Sequence, residues 1–173
     1  MIQLRNLSPA LQAQIGLASY GLLLSPTGKL FYVDSGHAAA GNSQPGTSPN
    51  APFSTIDAAI GACTANNGDV IIVSPGHTET VTAAAGVALD VAGVTVLGIG
   101  TGSNRPTVNF TIAVGASVSV TAANCAIINV LFTGGIDALT NLLSIAAADF
   151  KLFGCETRDV TGQATDFIVT TAA

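Results

Sequence analysis

Between Gly68 and Phe132 the chain alternates short apolar runs with Gly, Asn and Ala-Gly corners. It reads GDVIIVSPGHTETV, then VALDVAGVTVLGIG, then VSVTAANCAIINVLF. The runs are too short for helices and rich in β-branched residues, which predicts strands. They also repeat. Laying 92–100 over 123–132 and 148–157 aligns Val94 with Cys125 and Phe150, and Val96 with Ile127 and Leu152. Gly98, Asn129 and Gly154 then meet at a corner. The preceding strand keeps the same steps, through Val87, Val118 and Leu143, then Leu89, Val120 and Ile145. The step is 31 residues from 87 to 118 and from 94 to 125, and 25 from 118 to 143 and from 125 to 150.

A fixed step through strand, corner and strand predicts a stack of coils. Alternate side chains then point inward, and each backbone pairs with the coils above and below. An antiparallel sandwich also uses short strands but does not predict this repetition. The expected fold is all-β: a short right-handed parallel β-helix of about three coils, a solenoid. Gly or Asn suits its corners because both tolerate left-handed backbone. TGSNRPTVNF (101–110) is expected to insert a wider loop, which accounts for the longer step.

The remaining segments read as cap and arm. PFSTIDAAIGACTANNG predicts a capping helix over 54–65, with Ser54 as N-cap and Asp57 near the positive end. Ile56, Ala59, Ile60 and Cys63 form its buried face, and Asn66-Asn67-Gly68 its stop. Such a helix can cover the open end of a β-helix, whose first rung otherwise exposes unpaired backbone. GKLFYVDS (28–35) predicts a strand, followed by a long Gly/Ser/Asn/Pro loop. Residues 1–27 read as an N-terminal arm or helix opening at Ser8-Pro9, and 28–173 as the β-helix domain. Leu4, Leu7, Leu11 and Ile15 give the arm an apolar surface. It packs either on its own domain or on a neighbouring subunit, and in the second case these four residues are the partner contacts.

Composition narrows the function classes. Of 173 residues 49% are hydrophobic and only 9% charged, with a formal net charge of −5 and five basic residues. Nucleic acid is not an expected partner, since its binding relies on Lys and Arg neutralising phosphates. So little charge suggests a surface partly covered by other copies or a partner. Cys63, Cys125 and Cys155 show no metal-ligand spacing and read as buried thiols. No signal peptide and no membrane span is expected from the hydropathy pattern, so the chain is read as made in a cytoplasm.

FYVDSG, the Gly/Ser/Asn/Pro loop, PFSTIDAAI and GDVIIVSPGHTETV together resemble the opening of pectate-lyase-like right-handed parallel β-helix proteins. GDVIIVSPGHTETV and LDVAGVTVLGIGTGSNRPT look more narrowly like the small β-helix proteins that tailed phages encode beside their head and tail genes. The pectate-lyase-like resemblance covers Leu30 to about Phe132, and the motif is specific for fold rather than function. The narrower resemblance implies a virion structural protein, most readily a homotrimeric head decoration or cement protein on the major capsid protein. The alternative is a tail spike or fibre component that binds or cleaves surface polysaccharide. A third reading is a stabilising module docked to another protein.

Candidate chemistry is sparse. General acid–base work needs converging carboxylates, and the ten acids are scattered along the chain. His77 and Glu79, alternate residues of one strand, are the weak acid–base candidates. A turn histidine satisfied by backbone is the plainer reading of His77. Glu156, Arg158 and Asp159 read as a charged loop. No catalytic, cofactor or metal residues are assigned, and no cofactor is expected.

Overall fold

The computed structural model describes residue 25, residues 27–159 and residues 164–171. The expected arm, with Leu4, Leu7, Leu11 and Ile15, lies outside the described residues apart from Ser25 and Thr27.

The described chain is a parallel β-solenoid of about four turns. Strand β1 (Leu30–Val33) and helix α1 (Ile56–Gly61) precede the coils. The first coil is β2 (Val70–Val73), β3 (Thr78–Thr80) and β4 (Val87–Leu89). The second is β5 (Thr95–Gly98), β6 (Thr107–Phe110) and β7 (Val118–Val120). The third is β8 (Ala126–Ile128), β9 (Leu131–Gly134) and β10 (Asn141–Ile145). The fourth is β11 (Lys151–Phe153), β12 (Glu156–Asp159) and β13 (Asp166–Thr170). Three parallel sheets result: sheet A in the order β1-β2-β5-β8-β11, sheet B in the order β3-β6-β9-β12, and sheet C in the order β4-β7-β10-β13.

The register follows the repeat. Val87 pairs with Val118 and Val118 with Leu143; Val96 pairs with Ile127 and Ile127 with Leu152. Two expectations are corrected. The coils number about four, because Val70–Val73 sits one step before Thr95–Gly98 and opens a coil of its own. And 107–110 is strand β6; only the stretch before it, carrying the 3-10 turn Gly102–Asn104, forms the wider loop.

Inward side chains fill the lumen as columns. Phe31, Ile71, Val96 and Ile127 line sheet A, Val108 and Phe132 sheet B, and Val87, Val118 and Leu143 sheet C. The packing leaves a void of only about 10 Å³ among Ile56, Val87, Leu89, Val96, Val108, Val118, Ile127, Val130 and Phe132. Close packing of this kind matches the density of protein interiors. Sheet A is apolar on its outer side as well, where Tyr32, Val70, Ile72, Leu97 and Ile128 form a second cluster. That is why its strands read as near-continuous apolar runs rather than strict alternation.

Corner residues behave in two ways. Gly68, Gly93, Asn124 and Asp149 each stand just before a strand of sheet A, and all have left-handed backbone, with φ of 74°, 78°, 60° and 56°. Asn129 and Gly154 are left-handed at the tight corner after β8 and β11. Gly98 is not. It is required by proximity instead: a Cβ there would collide with the Asn129 carbonyl of the next coil. The Asn129 side chain donates from Nδ2 to the carbonyls of Gly98 and Gly100, at 3.0 and 2.9 Å, tying the second corner to the third.

Helix α1 is shorter than the expected 54–65, and its N-cap is Thr55, whose Oγ1 accepts from Ala58 N–H. Ser54 donates its hydroxyl to Asn42 Oδ1 instead. Asp57 stands in the first turn, as expected, and its Oδ1 also accepts from Ala88 N–H of β4 at 2.9 Å. Ile56, Ala59 and Ile60 are buried against the first coil. The long loop before the helix is ordered by backbone bonds: Tyr32 N–H donates to Gly46 O, and Phe53 N–H to Tyr32 O.

Candidate functional site

His77 and Glu79 do meet, and they meet inside the cap. His77 ends the turn before β3, and its side chain is 0% exposed. Nδ1 accepts from Ser35 N–H at 3.0 Å. Because that nitrogen accepts, the hydrogen of a neutral ring sits on Nε2, which faces Glu79 Oε2 at 3.4 Å. Glu79 sits on β3 in register with inward Val108, and its Oε2 also accepts from Ile56 N–H, the first residue of α1, at 2.9 Å. The pair therefore joins the segment after β1, the β3 turn and the helix start. Both ring nitrogens of His77 and Oε2 of Glu79 are engaged by backbone or by the other member.

Asp69 does the same kind of work at the opposite ends of β1 and β2, before Leu30 and Val70. Its carboxylate is fully buried. Oδ1 accepts from Lys29 N–H and Asn67 Nδ2, and Oδ2 from Thr64 N–H, all at 2.7 Å. A buried carboxylate is tolerable only with such compensation. The acids Asp34, Asp57 and Asp69 remain in three separate places. Among the described residues no group of three His, Cys, Asp or Glu side chains converges to hold a metal ion. No described helix is long and apolar enough to cross a membrane.

The cysteines are free thiols. Only Cys125 is fully buried; Cys63 and Cys155 are half-buried, which corrects the expectation for those two. Burial, with Asp69 second, pushes the Cys63 thiol up to about 12. Burial also raises Cys125 and Cys155. Thiols held protonated in this way are poor nucleophiles at neutral pH.

A polar cleft lies on the outer side of sheet B. It has a volume of about 300 Å³ and is lined by Gly102, Ser103, Arg105, Thr107, Leu131, Glu156 and Arg158. Thr107, Leu131 and Glu156 form one outward column across β6, β9 and β12. Glu156 takes Arg105 Nη1 on Oε2 at 2.9 Å and Arg158 Nη2 on Oε1 at 2.5 Å. Arg158 first, then Arg105, holds the Glu156 carboxyl below the ordinary carboxylate range. The charged loop expected at 156–159 is thus strand β12. The column could have been found by carrying the repeat into sheet B, where 107, 131 and 156 are equivalent. The wider loop shifts that step, so the alignment of the other two sheets does not extend to it.

Fold and geometry together define a short capped β-solenoid whose buried ionisable groups, Asp69 and His77, lie in its first coil. No family model, curated protein or solved structure matches the chain.

Proposed function

We propose that this chain is a structural protein of a phage virion, a head decoration protein docked on the major capsid protein as a homotrimer. The observation that carries the reading is the use made of the buried polar residues. Asp69, His77 and Glu79 all bind backbone N–H groups around the first coil. Polar residues committed to holding a scaffold together support a structural role over a catalytic one. The resemblance of segments 68–81 and 89–107 to small phage β-helix proteins supports the virion setting. Uncharged contact surface is also at hand: Ile112 and Val114 stand 61% and 50% exposed on the bend between β6 and β7.

The test is quantitative mass spectrometry of purified particles, together with light scattering of the isolated chain. A copy number comparable with that of the capsid protein, and a trimeric mass, are expected. Absence from particles, with a strict monomer at high concentration, would sink the reading.

A further inference from the structure

The loop 99–106 is longer than folding requires. The third and fourth coils turn the same corner through Asn129-Val130 and Gly154-Cys155 alone. In the second coil the chain instead builds the Gly102–Asn104 turn and pins it to the first coil, where Gly76 N–H donates to Asn104 O at 2.8 Å. This turn and the following Arg105 form a wall of the cleft over Thr107, Leu131 and Glu156.

Two of the five basic residues in an acidic chain face this one cleft. Arg105 and Arg158 share a single carboxylate, which leaves the cluster one positive charge in excess. Glu156 occupies one Nη atom of each guanidinium, so most of their N–H donors are not engaged by it. Arg105 Nε is buried with no hydrogen-bond partner among the described residues. A buried donor left unsatisfied calls for an acceptor, either a water or a bound group. The Thr107 hydroxyl already donates to Arg105 O at 3.2 Å, so its remaining capacity is to accept.

We propose that this cleft binds a small organic carboxylate. One net positive charge matches one anionic group, and a guanidinium fork matches the two oxygens of a carboxylate. Leu131 in the floor offers an apolar surface to the body that carries the charge, and the cleft volume suits a body of one ring. Glu156 holds the two arginines apart and in place, and at the same time competes with the ligand for their donors. The site is independent of any role in a particle.

Calorimetric titration of the full chain with benzoate, benzamide and inorganic phosphate, at low and high salt, tests the assignment. Benzoate is expected to bind saturably at low salt, benzamide at least about tenfold more weakly, with the benzoate signal reduced by salt. Arg158→Gln, at a side chain 55% exposed, should keep the fold and weaken benzoate about tenfold. Glu156→Gln should tighten it several-fold by removing the competing carboxylate, a result that a purely structural ion-pair cluster would not give. Equal binding of benzoate and benzamide, or unchanged affinity in Arg158→Gln, would overturn the proposal. Phosphate binding in place of benzoate would overturn the choice of a carboxylate.

Discussion

At the first coil each strand has a partner on its outer edge drawn from earlier chain. β1 pairs with β2 along its length. Ser35 Oγ donates to Thr78 O and accepts from Thr78 N–H of β3. Asp57 accepts from Ala88 N–H of β4, and Ile56 plugs the lumen. At the fourth coil β11, β12 and β13 are the last strands of their sheets among the described residues. The inward column of sheet C shows the contrast in one line: Val87, Val118 and Leu143 are each 2% exposed, and Ile168 is 43% exposed. A parallel stack satisfies its own interior but not its ends. Here one end is closed by three different devices, one for each sheet, because the three strand edges present different backbone groups to different neighbours.

The largest test of this contrast compares two positions of that column. Leu143→Ala should cost about 2–5 kcal/mol in denaturant unfolding. Ile168→Ala should cost below about 1 kcal/mol. Equal costs would mean that the fourth coil is as well packed as the third. Next comes Asp69→Ala, which strands three donors at the closed end. About 3 kcal/mol is expected, at roughly 1 kcal/mol or more for each unsatisfied group. Asp57→Ala removes one edge bond and should cost about 1 kcal/mol, with faster hydrogen exchange at the Ala88 amide as its local sign.

Alkaline pH probes the closed end more gently. Burial pushes the Cys63 thiol up to about 12 from its ordinary value of 9.0, so above pH 9 the unfolded chain binds fewer protons than the folded one. Stability from this group is complete below pH 9 and is lost as pH rises toward 12. Cys63→Ser should flatten that part of the stability profile. The smallest effect is at the other end. The Glu156 carboxyl titrates below its usual range, so its contribution is present at neutral pH and fades only in acid as pH falls through the lowered value. On an exposed strand Glu156→Gln should lower the neutral melting midpoint only slightly.

How much of this was legible depended on period. The apolar columns of sheets A and C share the same steps, 31 and then 25 residues, and the sequence shows them directly. Asp149 and Asn124 stand at the same corner, as the repeat indicates, and both are left-handed. What was hidden depends on contacts at long separation. Asp57 stands in the first turn of the helix as the sequence indicates, but its bond to Ala88 N–H of β4 shows only in the fold. Gly98 looks like a left-handed corner until Asn129 presses against it from the next coil. Glu156 and Arg105 lie 51 positions apart, and only sheet B register brings them together. The first coil was read as strands but not counted as a coil, for a different reason: β3 and its turn carry His77 and Glu79, polar residues that break the apolar pattern of the later coils.

The steps of 25 and 31 residues between paired strands have a kinetic consequence. Each strand waits only for the strand one coil earlier, so the loop to be closed is set by coil length and not by chain length. Assembly can then advance as a front. The first coil, with its own edge partners already supplied, is the natural place for that front to start, and unfolding should run back along it from β13.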